Sequence, residues 1–89
     1  MDFAWDEAKA SSNLKKHGVS FAEATEVFGD IFSSCVPDPD HSIDEDRYLI
    51  FGTSLKGTSL VVSFIERTDV IRIISARQMT RKERSAYES

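Results

Sequence analysis

Two kinds of side chain in this 89-residue chain suit proton transfer and anion binding. His17 and His41 are its two histidines, and imidazole is the side chain whose ordinary pKa falls near neutrality, so each is a candidate general acid or base. Each also has a bland reading: His17 caps the end of a helix, and His41 is solvated in an acidic loop. Arg47, Arg67, Arg72 and Arg77 carry planar guanidinium forks that match phosphate geometry. They fall near the ends of apolar runs, so several can converge on one concavity, or each can be consumed in an ion pair with an upstream acid. Cys35, Asp38, Asp40 and His41 invite a metal reading, but their spacing matches no zinc pattern and prolines interrupt it; no metal site is expected. The chain has no P-loop, dinucleotide fingerprint, nucleophile elbow or paired C-x-x-C, and no cofactor is expected.

The formal net charge of −4 conceals a separation along the chain. Glu23, Glu26, Asp30, Asp38, Asp40, Asp44, Glu45 and Asp46 follow one another with no Lys or Arg between them. Downstream, Arg67, Arg72, Arg77, Arg81, Lys82 and Arg84 outnumber Asp69 and Glu83. Such asymmetry either sets a basic working face beside an acidic one or cancels by internal pairing.

Positioning these groups requires a small set of elements. Phe3 to Trp5 reads as a short first strand, followed by Asp6 as N-cap of a helix that ends at His17 with Gly18 as C-cap. Ser20 and Glu23 have capping-box spacing, and Phe21, Ala24 and Phe28 share one face of a second helix that stops at Gly29. A strand is expected over residues 31–36 and a polar loop over 37–46. Strands over 47–53, 59–66 and 70–76 then alternate with turns at Lys56-Gly57 and Thr68-Asp69, an antiparallel meander. Thr80 and Glu83 open a last helix over 81–88. The order predicts an α+β fold, with N-terminal helices and a C-terminal helix on a curved, mainly antiparallel sheet of about four strands. Strict alternation in the last strand separates Arg72, Ile74 and Ala76 from Ile71, Ile73, Ser75 and Arg77, which puts the two arginines on opposite faces.

Length and composition bound the rest. With 40% apolar and 29% charged residues, 89 residues form one domain over 1–89. The longest apolar run, residues 60–65, is broken by Ser63 and is too short to cross a bilayer, and no signal sequence opens the chain. Together with a single cysteine, Cys35, this predicts a cytoplasmic protein with no membrane partner.

Specific strings add to this reading. Phe3-Ala4-Trp5-Asp6, Lys9, Asn13, Lys16-His17-Gly18-Val19-Ser20-Phe21 with Ala24, Glu45-Asp46-Arg47, Glu66-Arg67, and Ile71 to Arg77 followed by Glu83-Arg84 and Tyr87 resemble the BrnT family. Ile65 and Gln78 depart from its common pattern, where a threonine and a basic residue are frequent. The resemblance implies a RelE-like fold and a ribonuclease toxin of a bacterial type II toxin-antitoxin pair, acting on RNA on or off the ribosome to inhibit translation. It also implies neutralisation by a BrnA-like antitoxin with a DNA-binding part, through which alone DNA is contacted.

Metal-independent RNA cleavage needs the substrate 2′-hydroxyl deprotonated, the phosphorane charge stabilised and the leaving 5′-oxygen protonated. His17 is the first candidate for proton transfer, with Lys16, Glu45, Tyr87 or a carboxylate beside an arginine as alternatives. Arg67 and Arg77 are expected on the scissile phosphate, with Arg72 or Arg47 as a replacement for one of them. Lys16, Arg47, Arg72, Arg81 and Arg84 are expected to bind RNA. A mixed antitoxin interface is expected, in which carboxylates cover this basic face and the last helix from Arg81 is touched at its bases and Tyr87; docking mainly on an apolar patch elsewhere, holding the toxin where RNA cannot reach, is the alternative. The competing reading is a non-catalytic module that only holds a partner protein.

Overall fold

The computed structural model describes residues 2–40 and 46–88, so His41 and Glu45 lie outside the described residues. β1 (Asp2–Ala4) leads into α1 (Glu7–His17), which starts where the Asp6 carboxylate accepts the Ala8 and Lys9 N–H groups at 2.8 and 3.4 Å. α1 stops at Gly18, whose φ of 71° is the left-handed conformation that glycine adopts without strain. α2 (Phe21–Glu26) is capped by the Ser20 hydroxyl, which accepts the Glu23 N–H at 3.0 Å, and passes through a 3₁₀ turn to Gly29. Glu23 does not close the capping box. Its carboxylate accepts the Ser54 hydroxyl at 2.8 Å and pairs with Lys56 at 3.5 Å, which ties α2 to a turn of the sheet.

β2 (Ser34–Pro37), β3 (Arg47–Thr53), β4 (Ser59–Arg67) and β5 (Val70–Gln78) complete the sheet, and α3 (Arg81–Glu88) ends the chain's described elements. The sheet has five strands in the order β1-β5-β4-β3-β2 rather than about four, because β1 adds to one edge in parallel with β5 while all other pairs are antiparallel. β2 starts at Ser34 rather than at residue 31. Asp30 captures the Phe32 N–H with its carboxylate and the Ser33 N–H with its carbonyl, and the resulting turn uses up the backbone groups a longer strand needs.

Val19, Phe21, Ala24 and Val27 pack from the helices onto Ile50, Leu60, Val62, Phe64, Ile71, Ile73 and Ala76 of the sheet. Edge-on and stacked rings run Phe3–Phe28–Phe64–Tyr48 with centroids 5.0 to 5.7 Å apart. β4 is buried on both faces, since Val61, Ser63 and Ile65 on its other side are also shielded.

Strict alternation fails in β5. Ser63 opposes Ser75 and Phe64 opposes Ile73, so Ile74 has no partner and forms a bulge. The extra residue inverts the parity beyond it. Ile71, Ile73 and Ala76 all join the core, and Arg72, Ser75 and Arg77 share the face away from the helices. The expectation that Arg72 and Arg77 lie on opposite faces is therefore corrected.

β1 pairs with β5 only as far as Arg72, and beyond that point α1 takes its place beside the strand. Asn13 stands in for the missing strand: its carboxamide accepts the Ala76 N–H at 3.1 Å and donates to the carbonyls of Ala76 at 2.8 Å and Val19 at 3.0 Å. On the other flank, Gly52 lets the 3₁₀ turn approach β3. A Cβ there would fall 2.6 Å from Val27 Cγ1 and 3.2 Å from Asp30 Oδ2.

Two substitutions test these contacts. Asn13→Ala strands buried backbone groups and lowers stability by about 2–3 kcal/mol, seen as a lower urea midpoint with an unchanged slope. Gly52→Ala overpacks the 3₁₀ turn and costs about 1–3 kcal/mol in the same measurement.

Candidate functional site

The face of the sheet away from the helices carries the arginines in two groups. Arg47, Ile65, Arg72 and Ala4 occupy one row across four strands, with buried Ile65 as an apolar floor between the two guanidinium-bearing strands. Arg67 lies just beyond this row, opposite Val70. With Ala4, Thr68, Val70 and Arg72 it lines a cleft of about 470 Å³. Arg77 opposes Val61, six residues along β4 from Arg67, a distance of about 20 Å at 3.3 Å per residue. Arg67 and Arg77 therefore do not meet at one rim. Each closes its own strand, and consecutive antiparallel strands end at opposite ends of their hairpin. Arg67 instead joins Arg47 and Arg72.

At the other end, Arg77 is held by Glu83 in a two-pronged pair, with Nη1 to Oε1 at 2.7 Å and Nη2 to Oε2 at 3.0 Å, and Nη1 also donates to the Gln78 carbonyl at 3.2 Å. Arg77 is thus paired with a carboxylate, but with one from α3 rather than from the acidic stretch upstream. Glu83 also accepts the Thr80 N–H at 2.9 Å, while the Thr80 hydroxyl accepts the Glu83 N–H at 3.1 Å, a complete capping box. The Arg77 hydrogen bonds, helped by Thr80 and opposed by partial burial, pull the Glu83 carboxyl from 4.5 down to about 2. Such a carboxylate is a poor base near neutrality, so its chemical contribution here is to orient Arg77.

Tyr87 donates its hydroxyl proton to Asp30 Oδ2 at 2.6 Å, and Asp30 also accepts the Thr53 N–H at 2.8 Å and the Phe32 N–H at 2.9 Å. Partial burial, reinforced by the Asp30 carboxylate, raises the Tyr87 pKa, while the Tyr87 hydrogen bond and the two backbone donors lower that of Asp30. The phenol keeps its proton and serves as an anchor. No residue of α3 is buried. The helix is instead fixed by Glu83 on Arg77 and Tyr87 on Asp30, and its eight residues, about 12 Å long, bridge the ends of β5 and β3.

His17 lies one helical turn beyond Asn13 on the same face of α1, and Asn13 grips Ala76. The half-buried imidazole therefore belongs to the Arg77 end of β5, with exposed Lys16 adjoining it. Arg81 and Arg84 are exposed on α3, and Arg84 lines a polar cleft with Gln78, Ser59 and Glu88. Among the described residues, no three His, Cys, Asp or Glu side chains gather as a metal site would need. Residue patterning gave Glu83 its capping-box role with Thr80 but not its grip on Arg77, and assigned no role to Asn13 or Asp30. The Glu83-x-x-x-Tyr87 spacing, which puts both side chains on one helix face, was the available signal for two anchors on α3.

Because the folded-state pKa of Glu83 is depressed, its contribution to stability is complete above its ordinary value of 4.5 and disappears as pH falls towards 2. Urea midpoints measured across that window should fall more steeply for the wild type than for Glu83→Gln, which cannot ionise.

Comparison with known proteins places this geometry. The family model for the ribonuclease toxin BrnT of type II toxin-antitoxin systems matches residues 5–83. The crystal structure of the Brucella abortus ribonuclease toxin BrnT, at 1.1 Å, is similar in fold, with a TM-score of 0.72 and 24% sequence identity over 91% of this chain and 99% of that one. No curated protein sequence matches significantly. No helix among the described residues is long and apolar enough to cross a membrane. With its α+β sheet, its helix caps and its arginine-bearing face accounted for, the chain belongs to the BrnT family of ribonuclease toxins of type II toxin-antitoxin systems.

Proposed function

We propose that this chain, acting as one domain over residues 1–89, is a cytoplasmic endoribonuclease that cleaves RNA through the substrate's own 2′-hydroxyl, without a metal, and so inhibits translation. A BrnA-like antitoxin with a DNA-binding part neutralises it. The observation that carries this reading is the family match across residues 5–83.

The reaction centre is assigned to the His17 and Arg77 end of β5. His17 carries one of the two proton transfers, and Lys16 adds positive charge beside it. Arg77, held in orientation by Glu83, meets the charge that develops on the phosphorane, for which a preset donor is worth more than one that must first be ordered. Arg81 and Arg84 hold flanking phosphates from α3. Arg47, Arg67 and Arg72 form a second contact area on the same face of the sheet, about 20 Å away, which grips RNA backbone and contributes binding rather than chemistry. Tyr87 positions α3 through Asp30.

Cleavage of RNA in chelator-containing buffer tests the assignment. Arg77→Ala should lower kcat about 10²–10³-fold, and His17→Ala about 10²–10⁴-fold, with circular dichroism unchanged. Arg72→Ala should mainly raise KM and reduce the salt dependence of binding by about one phosphate contact. Wild-type protein that leaves RNA intact and whose induction does not slow growth would make the chain a partner-binding module instead.

A further inference from the structure

The three most exposed of the large apolar side chains gather in one place. Ile31 is 88% exposed, Phe32 77% and Leu55 88%, and together with Phe3, Phe28 and Thr25 they line a groove of about 750 Å³. The backbone that presents them is tied down. Asp30 accepts the Phe32 and Thr53 N–H groups, and Glu26 accepts the Leu55 N–H at 3.0 Å. Fixed apolar side chains standing in water around a concavity are what a partner's apolar residues bury.

The charge around the groove selects the partner. Glu26 and Asp30 line it, no Lys or Arg does, and neighbouring Lys56 is paired with Glu23. An RNA backbone or an anionic membrane surface is repelled by such a rim, whereas a protein segment with flanking cations is attracted. We propose that this groove docks the antitoxin, through a segment whose apolar side chains cover Ile31, Phe32 and Leu55 and whose flanking Lys or Arg residues face Glu26 and Asp30. The proposal rests on the toxin reading for the existence of that partner. It takes up the alternative of an apolar patch away from the arginines, with a rim of opposite sign to the basic face in the mixed interface favoured from sequence. Asp30 also holds Tyr87, so a segment seated in the groove lies beside the anchored end of α3 and leaves the remainder of the antitoxin within reach of the Arg77 end.

The experiment uses the full chain, the antitoxin encoded beside its gene, and the Phe32→Ser/Leu55→Ser variant, with Ile31→Ser as a second variant should the first fail to fold. Calorimetric titration should show antitoxin affinity reduced at least about 30-fold, as for loss of an interface anchor. RNA cleavage should be unchanged, and growth arrest should no longer be relieved by the antitoxin. Glu26→Gln, which keeps an acceptor for Leu55, should slow association and flatten its dependence on salt. Antitoxin binding within about threefold of wild type by the serine variants would overturn the proposal. So would a wild-type chain that self-associates through this patch, with variants that are monomeric and bind antitoxin normally. A wild type that binds antitoxin through the groove but neither cleaves RNA nor arrests growth would refute the ribonuclease reading while supporting the docking site.

Discussion

The molecule is organised around the hydrogen bonds of one amide, that of Asn13. A sheet edge that loses its strand partner halfway along leaves N–H and C=O groups that must find partners once helices cover them. Asn13 presents to Ala76 an acceptor and a donor, as a neighbouring strand's peptide would, and extends the same group to Val19. That attachment sets the position of α1 along β5 and the direction in which the chain turns into α2. It also sets which end of the sheet His17 adjoins. Placement of the His17 imidazole thus depends on a buried hydrogen-bond pattern one helical turn away.

α3 depends on a different kind of contact. Without a buried residue, it is held by two carboxylate-centred contacts, Arg77 with Glu83 and Tyr87 with Asp30. Arg77 therefore helps to secure the helix from the face of the sheet that carries the other arginines. Pairing with Glu83 partly neutralises Arg77 and fixes its orientation.

The separation of charge along the chain becomes a separation in space. Acids of α2 and of the turn after it, Glu23, Glu26 and Asp30, serve backbone and hydroxyl donors at the end of β3 and in its connection to β4, and Glu26 and Asp30 border the apolar groove. The arginines of β4 and β5 point to the opposite face of the sheet. Among the described residues, Arg77 pairs locally, between β5 and α3, with Glu83.

Features set by neighbours in sequence were legible without coordinates. Asp6, Ser20 and Thr80 cap the helices they precede, Gly18 ends α1, and β3 and α3 span the residues their patterns delimit. Each depends on groups within a few residues, so local sequence contains the whole interaction. The bulge at Ile74, the parallel seat of β1 and the faces on which Arg72 and Arg77 lie were decided only in the tertiary structure. Alternation cannot reveal where a partner strand lacks a residue, and a list of arginines does not carry their register. Sequence by itself determined the elements, the family strings and the residue types available for chemistry; tertiary packing determined which of them meet, because the seat of β1 on β5 and the grip of Asn13 on Ala76 each join segments more than 60 residues apart.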